Sequence, residues 1–393
     1  MHGGDSGVSG SLHVAVIGAG SLGMSSAFNL AQRGVKVTVL DQDHIASGST
    51  GRSVGVVGTQ HVDPFEILIR VHSIRQMKGW RSRGLGFRAI GYLRLGRSER
   101  DIALFEKSIA MQREHGITSP RVLDTADIRK LVPHMNTDGL AGGLFGPDDG
   151  FIDPHLMCNL LAGMVREAGG VVKQRCGLLA AERAGSGYRL ITSGGNIACD
   201  GVVIATGAWA AQTAALFGKT LNVVPERHEA ITIRLSQPLD YVMPMVMDLV
   251  QGGGGTGLNF RHDKPDELIT EIHKVAPGKG EDPDAYNEQI NEETKSALAE
   301  LLLERVPDLP GAGFGRGWAG LYPKTPDGRP FVGPFSADEP MLVAAAGGGG
   351  YGIQLGPVIG RLAADWLTEG RPATIPEAHI LQPTPDRNPP ART

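Results

Sequence analysis

Apolar residues in this chain form short unbroken runs near both ends and alternating runs between them. Val14, Ala15, Val16 and Ile17 make the first unbroken run, the pattern of a strand buried on both faces. Gly18, Gly20 and Gly23 follow, and residues 21–33 then read as a helix that Gly34 ends. Residues 35–40 form a second β-branched run closed by Asp41. A third run at 201–210 (GVVIATGAWA) and a fourth at 340–346 also end in small residues, and the fourth leads through 347–350 (GGGG) into a helix at 353–367. Between them the spacing predicts helices over 64–81, 99–115, 125–131, 155–168 and 287–304, and short strands at 89–95, 171–172, 178–182 and 188–192. Residues 221–275 read mostly as strand (223–224, 230–235, 243–250 and 268–275), with long loops carrying 252–255 and Arg261-His262. In 268–274 (LITEIHK) the alternation puts Ile269, Glu271 and His273 on one face. Residues 317–333 read as strand, Pro-Asp-Gly turn and strand.

The 393 residues suffice for two or three structural domains. A net charge of -4 gives no support for a nucleic-acid partner or a polybasic membrane patch. No apolar run approaches the ~20 residues of a membrane span. The three cysteines, Cys158, Cys176 and Cys199, have neither CxxC nor metal-ligand spacing, so no metal is expected and a reducing, cytoplasmic setting is. Residues 1–12 lack the pattern of a signal peptide. The proline-rich tail at 372–393 is expected to be extended or disordered.

The first turn carries the candidate chemistry. Gly18 allows a tight turn, Gly20 lets backbone approach a pyrophosphate, and Gly23 lets the helix pack on the strand. The positive helix N-terminus favours phosphate. Asp41, 18 residues beyond Gly23, is placed to accept ribose hydroxyls. Strand, glycines, helix, strand and acid in this order predict a dinucleotide site, and leave open whether the dinucleotide is NAD or FAD.

Five segments extend the pattern along the chain: IGAGSLG with Asp41, SGSTGRSVGVV (47–57), DGFIDPHLM (149–157), IATGAWA (204–210), and GLYPKTPDGRPFVGP followed by GGGGYGIQLGPVIG. Together they resemble the D-amino-acid oxidase / sarcosine oxidase superfamily of FAD enzymes, especially its sarcosine oxidase β-subunit-like and glycine oxidase-like members. The resemblance implies an α/β chain with an α+β second part, in the glutathione-reductase-type FAD fold. A Rossmann-like FAD-binding domain would comprise 12–80, 149–220 and 316–371. A β-rich antiparallel substrate domain would comprise 81–148 and 221–315. The same resemblance implies that Gly18, Gly20, Ser21, Leu22 and Gly23 hold the pyrophosphate and that Asp41 holds the ribose, with Gln42 also contacting the cofactor. Val172 would meet the adenine through its backbone. Ser49, Thr50, Arg52 and Ser53 would run beside the flavin, and Gly350, Tyr351, Gly352, Ile353 and Gln354 would approach its ring. Thr206, Gly207 and Trp209 would contact the cofactor from a loop passing close to the first glycine turn.

Departures from relatives also matter. Gly320 stands where some relatives tether FAD through cysteine, and Arg52 where others use histidine, so FAD is expected to bind non-covalently. Tyr322 and Gln354 replace carboxylate-binding basic residues of relatives, which leaves Arg261 or Arg316 for that role. His273 aligns with an active-site histidine, and Ile269 with a lysine used for oxygen activation.

The implied reaction removes a hydride equivalent from a carbon bearing an amine, on an amino acid or N-methylated amino acid, with hydrolysis of the imine. The acceptor is oxygen or another electron carrier. His273, Tyr322, Gln354 and Arg52 are the catalytic candidates, since histidine titrates near neutrality, tyrosine and glutamine donate hydrogen bonds, and arginine stabilises a reduced anion. Each has a plainer alternative: a strand histidine, a packed aromatic, a helix-end amide and a solvated loop charge. Two other functions stay open, a non-catalytic FAD subunit working with other chains and an NAD-linked dehydrogenase.

Overall fold

A computed structural model describes residues 12–248, 256–274 and 278–388, with the side chains of Thr256, His273 and Lys274 outside that description. The unbroken run at His13–Ile17 forms a central strand, fully buried from Val14 to Val16. It pairs in parallel with Lys36–Leu40 on one side and Gly201–Ile204 on the other. Val171–Lys173 extends the sheet beyond Lys36–Leu40, and Leu342–Ala346 extends it beyond Gly201–Ile204. Phe331–Pro334 closes that edge as the one antiparallel member of six strands. Two-sided burial explains why these strands lack alternation: helices cover one face and a second apolar cluster the other.

The first helix (Ser21–Ala31) and the last long one (Gly352–Glu369) lie against each other closely because glycine stands at the crossing. A Cβ on Gly360 would sit 2.3 Å from the Ser25 carbonyl carbon. Pro357 falls inside the last helix, and Gly370 ends it in a left-handed conformation (φ 68°).

A second sheet of eight strands carries a separate core that includes Leu93, Ile231, Val246, Phe260 and Leu298. Its first five strands in spatial order are Gly313–Lys324, Val224–Arg234, Glu267–Lys274, Thr256–Lys264 and Met245–Asp248. Tyr92–Gly96, Gly142–Gly146 and Arg121–Leu123 complete it.

Three expectations need correction. Residues 223–224 and 230–235 belong largely to one strand, Val224–Arg234. Its polar middle hides the strand pattern because these side chains have partners: Glu226 pairs with Lys324, and Arg227 with Glu229. Arg261 and His262 lie in the strand Thr256–Lys264, not in a loop. The tail is not simply extended, because Ile375, Ala378 and Leu381 are buried in the first core and Arg387 pairs with Asp327 at 2.7 Å. Gly313–Lys324 pairs with Val224–Arg234 at the edge of the eight-stranded sheet, and its residues Trp318, Gly320, Leu321, Tyr322 and Pro323 line the cleft between the two sheets. The glycines at 252–255 lie outside the described residues.

Candidate active site

The glycine turn is built by close approach. Gly18 has φ 105°, and a Cβ there would lie 2.4 Å from the Ala205 carbonyl oxygen. A Cβ on Gly23 would lie 1.9 Å from the Gly18 oxygen. The first intrahelical bond runs from the Met24 amide to the Gly20 carbonyl, so the amides before it have no acceptor within the helix. Ser21 N–H donates to Thr50 Oγ1 at 3.1 Å, joining the turn to the 3₁₀ turn Ser49–Arg52. Asp41 Oδ2 accepts the Ala19 amide at 2.7 Å, and Oδ1 accepts the Asp43 amide at 2.9 Å. Burial pushes this carboxyl's pKa above its ordinary value, while the two amides oppose the rise.

From this turn a cleft of about 400 Å³ runs between the two sheets. Gly18, Gly20, Ser21, Leu22, Asp41 and Gln42 line its first end. Ser49, Thr50, Arg52 and Ser53 line its middle, with Thr206, Gly207 and Trp209. Gly350, Gly352, Ile353, Tyr322 and Gly320 line it farther on. Trp209 Nε1 donates to Asp284 Oδ1 at 2.7 Å, which fixes the indole at the rim.

Several expected residues are not among those lining the cleft. Gly23 supports the turn from behind, and Val172 sits on a sheet-edge strand paired with Val39, while Cys176 and Leu178 line that end. Tyr351 lies beneath the guanidinium of the buried Arg70, 4.9 Å from it. Gln354 is buried and accepts the Gly58 amide at 2.7 Å, so the amide side chain organises backbone. Arg261 is buried against Phe151 at 3.8 Å and donates twice to Val54 O, at 3.1 and 2.7 Å. Its other bonds go to His262 O and Asp263, which leaves no fork for a substrate carboxylate. Arg316 is exposed, and its amide donates to Thr232 Oγ1. His273 occupies the strand position opposite Gly257, and its side chain lies outside the described residues.

Tyr322 is the catalytic candidate that meets new neighbours. Its ring stacks on His228 at 3.7 Å, and its hydroxyl donates to Glu271 Oε2 at 3.4 Å. Burial and the Glu271 charge push the phenol's pKa well above 10. Arg52 donates to the carbonyls of Ser47 and Gly48 and pairs with Glu288 at 2.5 Å. A Cβ on Gly320 would lie 3.1 Å from the Arg52 Cβ.

Sequence reasoning did not select His228, Glu229, Glu271 or Trp318, all of which line the cleft. The alternation of 268–274 contained the signal for Glu271. His228 and Glu229 sat in a polar run that gave no strand pattern.

The family model described as FAD dependent oxidoreductase (DAO) matches residues 13–366. Glycine oxidase of Geobacillus kaustophilus is 26% identical over 365 residues, covering 90% of this chain and 92% of that protein. Mitochondrial dimethylglycine dehydrogenase of Rattus norvegicus is 27% identical over 377 residues, covering 91% of this chain and 43% of that protein, so this chain spans under half its length. The crystal structure of L-proline dehydrogenase from P. horikoshii superposes with a TM-score of 0.81 at 25% identity, covering 92% of this chain and 94% of that one. With the family match running over nearly the whole described chain, this protein belongs to the DAO family of FAD-dependent oxidoreductases.

Proposed function

We propose that the chain binds FAD non-covalently in the cleft and oxidises the C–N bond of an amino acid or secondary amino acid, the imine product then being hydrolysed. One observation carries the reading: a single cleft joins the Gly18 turn and Asp41 to the half-buried pair Tyr322 and Glu271. The cradle suits the dinucleotide, because Gly18 and Gly20 bring bare backbone to the surface where a phosphate needs N–H groups. Asp41 would hold the ribose, the Ser49–Arg52 turn with Thr206 and Trp209 would flank the flavin, and Gly350 to Ile353 would close over it. Gly320 and Arg52 offer neither thiol nor imidazole for a tether. FAD held by these residues would supply the acceptor for a hydride equivalent from the amine-bearing carbon. The chain's own residues bind and orient the amine and exclude water.

Among the relatives, the names glycine oxidase, dimethylglycine dehydrogenase and sarcosine dehydrogenase support an amino-acid amine as substrate. The division into an FAD-binding part around the six-stranded sheet and a substrate part around the eight-stranded sheet is part of the same proposal. The buried, uncharged Ile269 supports an acceptor other than oxygen.

The test is anaerobic bleaching of the purified yellow protein by glycine, sarcosine, N,N-dimethylglycine and L-proline. Bleaching by at least one supports the reading, and its absence with all four overturns it. Repeating the turnover with air and then with a dye acceptor distinguishes oxidase from dehydrogenase.

A further inference from the structure

Among the described residues lining the cleft, Arg52 is the one guanidinium or ammonium group, and it is taken by Glu288 and two carbonyls. Arg261 is fully committed to Val54, His262 and Asp263 behind the wall. The cleft therefore offers an incoming carboxylate no free cation among these groups. The opposite charge is present. Glu271 faces the cleft from the middle of the strand Glu267–Lys274, between Ala230 on one neighbouring strand and Asn259 on the other.

Glu271 Oε1 accepts from Asn259 Nδ2 at 3.1 Å, and Oε2 has only the long contact from Tyr322 at 3.4 Å. Among the described residues Glu271 has no ion pair. Asn259 Oδ1 beside it is buried without a hydrogen-bond partner. A half-buried carboxylate held this loosely is left with unfilled acceptor capacity, which a donor or counter-charge entering the cleft would satisfy. The charged and titratable groups around it are Tyr322, His228 and Glu229, Arg261 on the Asn259 strand, and Tyr351. Burial raises the Glu271 carboxyl's pKa, opposed by the bonds from Asn259 and Tyr322 and by the Arg261 charge. That balance suits a group that accepts a proton.

We propose that Glu271 receives the substrate's amine, binding its ammonium form in the cleft and taking one proton from the nitrogen. The N–H bond breaks, the Glu271 O–H bond forms, and the electron pair stays on nitrogen, giving the neutral amine that oxidation requires. The assignment rests on the reading of the cleft as a flavin-amine site. It further means that the site selects its substrate by the positive end, so an amine without a carboxylate binds.

Two isosteric probes test this on the FAD-loaded full chain, read by perturbation of the visible flavin spectrum. tert-Butylamine carries only the cation and has no hydrogen on the amine carbon, so it cannot be oxidised. Pivalate carries only the anion. The expected result is at least tenfold tighter binding of tert-butylamine than pivalate, with the preference abolished in Glu271→Gln and retained in Glu271→Asp. Equal or tighter binding of pivalate by the wild-type protein overturns the proposal. So does failure to bind tert-butylamine, or an unchanged preference in Glu271→Gln. Because neither probe reacts, this outcome is independent of whether any amine bleaches the flavin.

Discussion

Gln354 accepts the Gly58 amide proton at 2.7 Å across 296 positions of sequence, tying the last long helix to the segment that follows the Ser49–Arg52 turn. Both groups are buried. Gln354→Leu removes the acceptor and leaves a buried N–H unsatisfied, at a cost of about 1–3 kcal/mol. Urea unfolding of the two proteins side by side measures this loss. Gln354→Glu keeps an oxygen at the same reach, and its midpoint is expected between the two.

Gly18 and Gly34 both have positive φ, 105° and 76°, yet only Gly18 has atoms in the way of a side chain. Gly18→Ala drives a methyl into the Ala205 carbonyl oxygen and moves the turn that meets the phosphates. It is expected to purify nearly colourless. Gly34→Ala has nothing within 4 Å, carries only the backbone strain of about 1 kcal/mol, and keeps the wild-type flavin-to-protein ratio. Equal flavin content in the two variants would refute the placement of the pyrophosphate.

Asp149 is buried and accepts the Thr59 amide at 3.0 Å and Gln60 Nε2 at 3.2 Å. Burial pushes its pKa up to about 7 from the ordinary 3.8. Between those values the folded chain keeps a proton that the unfolded chain has released. Stability therefore falls as pH rises through this window, with a slope of up to about 1.4 kcal/mol per pH unit from this group, and levels above about 7. Asp149→Asn is expected to flatten that stretch of a stability-pH curve measured by urea titration.

What could be read from the sequence follows from how local each signal is. The turn at Gly18, the two flanking strands and the first helix are specified by residues within one short stretch, and the structure reproduces them. Long-range partners are different. Nothing near Gln354 announces Gly58, and nothing near Arg261 announces Val54 and Phe151, because those contacts exist only once two sheets face each other. Arg261 was a reasonable carboxylate ligand as an isolated charge; folding spends all its donors on the protein. The strand Val224–Arg234 was missed in its middle because its charged residues are made tolerable by partners: Glu226 pairs across to Lys324, and Arg227 pairs with Glu229 along the same strand.

Arg261 offers a final way to separate positioning from substrate binding. Its guanidinium spans Val54 O with two N–H groups and lies on the Phe151 face. Val54 lines the cleft just beyond the Ser49–Arg52 turn, so this fork holds a wall of the site from behind. Lysine keeps the charge but has neither the planar fork nor the stacking surface. Arg261→Lys is therefore expected to lose about 1–3 kcal/mol of stability on urea unfolding and to release flavin more readily on dilution. It should leave the ratio of tert-butylamine to pivalate binding unchanged, because neither probe touches Arg261 on this reading. Were Arg261 instead the ligand of a substrate carboxylate, the substitution would weaken pivalate selectively and raise that ratio.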